Sequence, residues 1–267
     1  MALIRMDHVP RTVKVNLPLN ILVPDPGDIG AVPVRQRKVL YLLHGLSDDA
    51  SAWQRYSAIE AIAERHGLVV VMPSVGRSFY ADLPNGQLYF TYLVEELPAY
   101  LGDVFGLHPQ RKDTFIAGVS MGGYGALKAA FLRPELYTAA ASFSGFLSLE
   151  FLKLYPNDPR VQEFSYIFGD PNSISGGPHD PAVWLKNAAE NPSALPDLHM
   201  ACGTDDDLYP LNTLFYNACR SLEIPITYNE EAGARHSWFF WDAQIRRFLE
   251  TVLPNKIPQQ VEEGSHE

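Results

Sequence analysis

The sequence has few cysteines, no surplus of positive charge and no long apolar run, and each shortage excludes a class of protein. Its 267 residues include only two cysteines, Cys202 and Cys219, too few for a disulfide framework and without metal-ligand spacing. A formal net charge of −10 argues against nucleic acid or an anionic membrane surface as the main partner. Apolar stretches such as residues 67–72 are far too short to span a bilayer.

The beginning of the chain also lacks the features of a secretory peptide. Residues 1–5 are followed by neither a long apolar core nor a cleavage signal. Both cysteines are expected to be reduced. The chain is therefore predicted to be cytoplasmic, with a homo-oligomeric state left open.

Short apolar runs alternate with helical stretches along most of the chain. The runs include residues 39–43, 68–72 and 138–143, and the helical stretches include residues 59–65 and 211–222. Continuous apolar strands separated by helices indicate an α/β fold with a mostly parallel sheet covered on both faces. One domain is expected over residues 1–255, followed by a disordered acidic tail at 256–267.

Two regions depart from this rhythm. The opening segment alternates in the manner of a strand over residues 13–23, where Pro18 suggests an edge strand or a bulge. Residues 146–196 are rich in Pro, Asn, Asp and Gly, and are interpreted as an insertion that caps the carboxyl edge of the sheet. The alternative is a peripheral excursion with a small core of its own.

A serine stands at the apex of a strand, sharp turn and helix pattern. Ser120 is the centre of Gly118-Val119-Ser120-Met121-Gly122, directly after the apolar run 114–117 and before the helix-like run 124–130. Glycines two positions to either side allow the close approach of strand and helix that a strained turn needs. Such a turn raises the hydroxyl above the sheet edge, so Ser120 is predicted to be a nucleophile.

A serine hydroxyl needs a base to take its proton, and the base needs a third group to orient it. In folds of this kind the chain order is nucleophile, acid, histidine. Of the four histidines after Ser120, His179 lies in the Pro/Gly-rich stretch, His199 in a predicted strand and His266 in the tail. His236 lies between the last strand and the last helix, and is therefore the predicted base.

The acid is expected in the loop after the preceding strand. Asp205, Asp206 and Asp207 stand there in succession, and spacing alone does not choose among them. At least two of them would otherwise serve as negative charge at a helix N-terminus.

Two backbone amides are expected to hold the oxyanion of the reaction. Met121 follows the nucleophile at the start of a helix, and Leu46 or its neighbour follows the strand 39–43. His44, next to this second donor, is expected to be structural rather than catalytic.

Five aromatic residues flank the predicted catalytic loops and could line an apolar acyl or aryl pocket. Ordinary core packing is the alternative for each of them. They are Trp53, Tyr80, Phe146, Tyr209 and Trp238.

The sequence resembles the esterase D-like family of α/β-hydrolases, in particular its small bacterial tributyrin esterases. Seven segments occur in the family's order, and the likeness covers about residues 10 to 252. The segments are residues 42–46 with Trp53, 70–73, 95–98, 115–126, 141–145, 202–209 and 232–238.

The resemblance implies several features that spacing left open. In that family the acid stands three residues before the Tyr of an Asp-x-Leu-Tyr element, which is Asp206 here. The resemblance also implies a serine carboxylesterase without metal or cofactor, which acts on small-molecule short acyl or aryl esters through an acyl-enzyme.

Other functions remain as alternatives. A carbohydrate-linked ester hydrolase (acetyl or feruloyl esterase) comes first, ahead of an S-formylglutathione hydrolase or an acyltransferase of the mycolyl type. A non-catalytic binding protein on a hydrolase scaffold is a remote alternative. Such a protein has no physical need to keep the serine, the aspartate and the histidine, and this chain has all three.

Overall fold

The computed structural model describes residues 1–25, 33–149, 160–170 and 174–253. In these ranges eight strands form one sheet in the order β1-β2-β4-β3-β5-β6-β7-β8. The pairs β1–β2 and β2–β4 are antiparallel, and all other neighbours are parallel. The strands are β1 Ala2–His8, β2 Leu17–Val23, β3 Val39–Leu43, β4 Val69–Pro73, β5 Thr114–Val119, β6 Ala139–Phe143, β7 Asp197–Gly203 and β8 Thr227–Glu231.

Helices connect the parallel strands. In the described ranges they are α1 Ala52–Tyr56, α2 Ile59–His66, α3 Tyr89–Thr91, α4 Leu97–Phe105, α5 Met121–Leu132, α6 Arg160–Phe168, α7 Pro181–Ala188, α8 Tyr209–Ser221 and α9 Trp238–Val252. A π-helical turn, Tyr92–Glu96, joins α3 to α4. None of the helices in these ranges has the length and apolar character needed to cross a bilayer.

The core lies in two layers, one on each face of the sheet. Along β3, Val39, Tyr41 and Leu43 face one layer, whereas Leu40 and Leu42 face the other, because successive side chains of a strand point to opposite sides. Helices α4, α5 and α8 cover the first face, and α1, α2 and α9 cover the second. The prediction of a mostly parallel sheet with helices on both faces is confirmed.

The N-terminal region differs from the prediction. Residues 2–8 form β1, which the sequence pattern did not predict, and Val13 and Val15 lie outside the strands of the described residues. The strand β2 is not at the edge that Pro18 suggested, because it pairs with β1 on one side and β4 on the other. Pro18 is tolerated at the second residue of β2, where its carbonyl accepts the Ser74 N–H (3.0 Å) and no ladder donor is needed from it.

The predicted insertion contains helical structure where it is described. Helix α6 and helix α7 lie within residues 146–196, and α7 is preceded by the N-cap residue Asp180, whose side chain accepts the N–H of Ala182. Residues 150–159 and 171–173 of this segment, and the predicted tail 256–267, lie outside the described residues.

Candidate active site

The turn between β5 and α5 holds Ser120 in a strained backbone conformation. Its φ of 54° and ψ of −116° lie in a region that residues with a side chain rarely adopt. Its N–H donates to the carbonyl of Phe143 at the end of β6 (2.9 Å). The strain is held in place by the surrounding sheet and helix, as expected for a serine presented at a sharp strand-to-helix turn.

Both flanking glycines are sterically required. A Cβ at Gly118 would lie 2.4 Å from the backbone of Gly122, and one at Gly122 would lie 2.5 Å from the carbonyl oxygen of Leu43. Both distances are far below van der Waals contact, so a side chain at either position would push α5 away from β5 or β3. The strand, the turn and the helix can therefore approach this closely only with glycine at 118 and 122.

The loop after β3 lies beside the serine. A Cβ at Gly45 would be 3.7 Å from the Cβ of Ser120, which puts Leu46 next to the nucleophile. Within the described part of the chain, the amides of Leu46 and Met121 have no hydrogen-bond acceptor. Two unpaired N–H groups at one place, one of them at a helix N-terminus, suit a developing negative charge.

The buried side chain of His44 makes hydrogen bonds that fix this loop. It is 1% exposed, its Nδ1 lies 2.7 Å from the Gly45 carbonyl, and its Nε2 accepts the N–H of Val75 (3.1 Å). Because Nε2 accepts the Val75 N–H, the ring proton is on Nδ1 and is donated to the Gly45 carbonyl, and burial lowers the pKa of His44. Tyr80 adds a hydrogen bond from its hydroxyl to the His44 carbonyl (3.0 Å). His44 thus has structural contacts to the loops on both sides.

The structure brings one of the three aspartates to the predicted base. Nδ1 of His236 lies 2.9 Å and 3.1 Å from the two carboxylate oxygens of Asp206. The Asp206 side chain is buried, whereas Asp205 and Asp207 are exposed. The His236 side chain is 34% exposed.

Contacts between the loops after β7 and β8 hold this pair together. The Asp205 N–H donates to the Ala234 carbonyl (3.0 Å), and the Gly233 N–H donates to the Thr204 hydroxyl (2.9 Å). A Cβ at Gly203 would lie 2.1 Å from the Ala234 carbonyl oxygen, so only glycine permits the approach. The two loops are therefore fixed relative to each other before any substrate binds.

The Asp206 carboxylate remains ionised although it is buried. Burial alone would raise its pKa, but hydrogen bonds from His236, from the Leu208 N–H (2.8 Å) and from the Ser144 hydroxyl outweigh burial, and the pKa is lowered. A buried carboxylate that stays charged can orient an imidazole and stabilise its cation.

The five predicted pocket residues fall into two groups. Trp53, Tyr80 and Phe146 are buried, with 1%, 0% and 6% of their surface exposed. Tyr209 and Trp238 are partly exposed.

The three buried residues make contacts with the backbone at the end of β3, in the loop after β3 and at Ser120. The Trp53 indole donates to the carbonyl of Leu43 (3.0 Å) below the loop after β3, which Tyr80 also braces. The Phe146 N–H lies 3.4 Å from the Ser120 carbonyl oxygen. Of the five, the partly exposed pair is therefore the better placed to touch a bound molecule.

Two residues next to the Asp206–His236 pair were not identified from the sequence. The Trp241 indole N–H donates to the Ser144 hydroxyl (3.0 Å), and the Trp241 ring meets the His236 ring edge-on with centroids 4.8 Å apart. Ser144 directly follows β6 and lies in the family-like segment 141–145, and either its place at the end of a parallel strand or this segment could have drawn attention to it. In the described ranges no group of three or more His, Cys, Asp or Glu side chains is arranged to hold a metal ion.

The amino-acid sequence is similar to those of known esterases. Residues 11–251 match a family model described as "putative esterase". An acetyl esterase of Caldicellulosiruptor saccharolyticus is 30% identical over 260 residues, covering 94% of this chain and 97% of that protein.

Two solved structures from Staphylococcus aureus are also similar. A fluorophosphonate-binding serine hydrolase has a TM-score of 0.85, and an S-formylglutathione hydrolase has one of 0.83. Each is 30% identical, covering 94% of this chain and 98% of its own. Together with the eight-stranded sheet, these likenesses confirm the α/β-hydrolase fold.

Proposed function

Because the chain belongs to the esterase family, and is a serine esterase that hydrolyses carboxylic esters, we propose that Ser120, His236 and Asp206 are its catalytic triad. The observation that carries the proposal is the contact of 2.9 Å between His236 Nδ1 and the buried Asp206 carboxylate. It lies at the same edge of the sheet as the strained Ser120, since all three residues follow parallel strands.

The tautomer of His236 follows from its partner. Because the Asp206 carboxylate accepts from Nδ1, the neutral ring has its proton there and its lone pair on Nε2. Nε2 takes the proton of the Ser120 hydroxyl as Oγ attacks the ester carbonyl. Protonated His236 then gives that proton to the leaving alcohol, and an acyl-enzyme remains on Ser120.

The second half of the cycle repeats the first with water. His236 deprotonates a water molecule, which attacks the acyl carbon and releases the acid and the Ser120 hydroxyl. The amides of Leu46 and Met121 hold the oxyanion in both halves. Each such donor contributes about a hundred- to a thousandfold in rate.

An aromatic cluster next to the nucleophile supports short acyl groups as substrates. Phe146, hydrogen-bonded through its backbone to Ser120, packs against Phe79 (5.7 Å between centroids) and Phe164 (5.5 Å). All three rings are buried, and a packed aromatic cluster beside the nucleophile favours a short acyl group over a long chain. We therefore propose short acyl or aryl esters, tributyrin among them, with Tyr209 and Trp238 near the more open side.

The segment 146–196 is proposed to cap this side of the site. In its described part, Phe164 and Phe168 pack on Phe79 of the loop after β4, and the Arg77 guanidinium forms an ion pair with Glu163. These contacts join α6 to the loop after β4, which also contains Tyr80.

The site of action in the cell and the oligomeric state belong to the same proposal. Cys202 and Cys219 are free and buried thiols, as is common in a reducing compartment. We propose a cytoplasmic enzyme, and fractionation of the cells that make it would test this. Sedimentation would decide between a monomer and a homo-oligomer.

S-formylglutathione hydrolysis is the second candidate function, ahead of carbohydrate-linked acetyl or feruloyl esters. The observation that favours it is the 30% identity with the S-formylglutathione hydrolase of Staphylococcus aureus over nearly the whole chain. The chemistry is the same in both cases, since a thioester carbonyl forms the same acyl-enzyme.

A substrate profile tests the proposal. We expect kcat/KM for nitrophenyl acetate and butyrate to exceed that for nitrophenyl octanoate by at least about tenfold, because several extra methylenes do not fit the aromatic cluster. The same assay is run with tributyrin, S-formylglutathione, acetylated xylan and methyl ferulate, and Ser120→Ala provides the background rate. A higher kcat/KM for octanoate would contradict the short-chain proposal, and a strong preference for S-formylglutathione or a sugar ester would replace it.

A further inference from the structure

We propose that Ser144 is a positioning residue for the acid–base pair, because its buried hydroxyl orients the Asp206 carboxylate. Trp241 supports this arrangement, since it donates a hydrogen bond to that hydroxyl and packs against the ring of His236. The proposal rests on the proposed function of Asp206 and His236, and it adds a role for two residues outside the triad.

Ser144 stands at the right place in the sheet. It directly follows β6, which lies between the strand that leads to Ser120 and the strand that leads to Asp206. Its N–H donates to the carbonyl of Ala201 in β7 (2.8 Å). Its φ is +51°, a left-handed conformation that serine seldom adopts and that costs conformational free energy. Such strain is retained where the geometry serves a site.

The Ser144 hydroxyl has one proton to donate, and its neighbours decide which group accepts it. The oxygen accepts the indole N–H of Trp241 (3.0 Å), and a hydroxyl has one proton of its own to donate. Ser144 is 0% exposed, so solvent is not the acceptor. The two acceptors beside it are the Asp206 carboxylate and the Cys202 sulfur. A carboxylate is the much stronger acceptor, so the proton goes to Asp206.

Asp206 then has a donor on each side. His236 Nδ1 and the Leu208 N–H contact its oxygens, and the Ser144 hydroxyl supplies a third hydrogen bond. Three donors fix the plane of the carboxylate, and that plane sets the direction in which Nδ1 of His236 points. The other titratable groups close to this carboxylate are His236 from the loop after β8 and Cys202 from β7.

Trp241 joins the two halves of the arrangement. Its indole N–H fixes the Ser144 hydroxyl, and its ring edge meets the His236 ring at an interplanar angle of 89°. It lies on α9, four residues after the N-cap residue Ser237, and is 6% exposed. One rigid side chain therefore limits the motion of both the serine that orients the acid and the base itself.

Kinetics of paired variants test the role of Ser144. Ser144→Ala removes the hydroxyl and is expected to lower kcat for nitrophenyl acetate about tenfold with KM within about twofold, as for loss of one hydrogen bond to a charged group. The rate of labelling by a fluorophosphonate is expected to fall by the same factor, because it reports activation of Ser120. The acid limb of the kcat/KM profile should move up by as much as about one pH unit, since a carboxylate with one donor fewer keeps more of its negative charge and so stabilises the protonated form of the acid–base pair more strongly.

Three further variants separate positioning from a structural effect. Ser142→Ala is the matched control, because Ser142 is an equally buried serine of β6 whose hydroxyl has no hydrogen-bond partner in the described part of the chain. Its rate and pH profile should stay within about twofold of the wild type. Ser144→Gly also removes the hydroxyl but relieves the left-handed strain, so it should fold and lose activity like Ser144→Ala. Trp241→Phe should act through the same hydrogen bonds, so its loss and that of Ser144→Ala should not multiply in the double variant.

Different variants test the positioning role of Ser144 and the catalytic role of the triad. Equal losses in Ser142→Ala and Ser144→Ala, or a slower Ser144→Ala with an unshifted acid limb, would overturn the positioning role. The same holds if both Ser144 variants keep full kcat while Ser120→Ala is inactive. If Ser120→Ala hydrolyses esters as fast as the wild type, it is the triad that fails.

Discussion

Burial distinguishes three aspartates that are neighbours in sequence. Asp206 is 4% exposed and contacts His236, whereas Asp205 and Asp207 point to solvent. Its own N–H donates to Gly203 and its carbonyl accepts the N–H of Tyr209, so a tight turn directs this one side chain inward. Spacing along the chain contains no information on which side of such a turn faces inward, and only the resemblance to known hydrolases singled out Asp206.

Single amide substitutions at these positions test that distinction. Asp206→Asn is expected to lower kcat by about a thousand- to ten-thousandfold, because an amide favours the wrong His236 tautomer and does not stabilise the imidazolium. Asp205→Asn and Asp207→Asn change exposed charges only and should stay within about threefold of the wild type. The measurement is kcat with nitrophenyl acetate, together with a melting curve for each variant. Equal losses in all three would remove Asp206 from its proposed role.

Residues that act on other residues were the hardest to identify from the sequence. Ser144 lies in the segment 141–145 that resembles the esterase D-like family, but the resemblance assigned it no role, and Trp241 lies outside the seven segments. Their contact joins residues 97 positions apart. His44, by contrast, was expected to be structural, and its buried contacts to Gly45 and Val75 agree with that expectation. A motif predicts the residues that perform the chemistry, but a hydrogen bond across the sheet edge depends on the assembled fold.

At the scale of elements, the apolar runs predicted the central strands because both of their faces are buried. The strands β3, β4, β5 and β6 are buried at every residue. The strand β1 was missed because Arg5 and Asp7 interrupt its apolar residues, unlike the continuous runs of the central strands, and none of its residues is fully buried. An edge strand of this kind is defined by its pairing with β2 rather than by its composition.

Helix α5 contains a charged residue that its burial makes unusual. Lys128 is 2% exposed, and its Nζ donates to the carbonyl of Tyr80 (3.1 Å) and lies 3.3 Å from Nδ1 of His179. Burial lowers the pKa of Lys128 to about 7, although Asp82 opposes the change. The side chain thus joins the loop that braces His44 to the segment before α7.

This lysine makes stability depend on pH in a defined window. Between about pH 7 and the ordinary lysine pKa of about 10.4, the unfolded chain binds a proton at Lys128 that the folded chain does not, so the free energy of unfolding rises with pH. Lys128→Met should reduce this rise by up to about 1.4 kcal/mol per pH unit. Urea unfolding at pH 7, 8 and 9 measures the slopes. The exposed lysine of α7 gives the control Lys186→Met, and equal slopes in the wild type and Lys128→Met would contradict the account.

For the whole molecule, the sequence predicted the sheet, the strained turn at Ser120 and the order of the loops that bear the candidate triad. It did not predict how residues 146–196 fold, because the rings that order α6, such as Phe164 and Phe168, are held by Phe79 from a distant loop. Their packing depends on tertiary contacts that local patterns do not encode. The same holds for the two consecutive left-handed residues Phe79 and Tyr80.

The central claim is that folding makes Ser120 the single activated hydroxyl of the chain, and covalent labelling measures this most directly. A fluorophosphonate probe loses fluoride to an activated serine, and peptide mapping by mass spectrometry locates the adduct. We predict one adduct per chain on the peptide that contains Ser120, no labelling of Ser120→Ala, and labelling of His236→Ala slowed by about a thousandfold or more. An adduct on another residue, or an unchanged labelling rate in His236→Ala, would contradict the account.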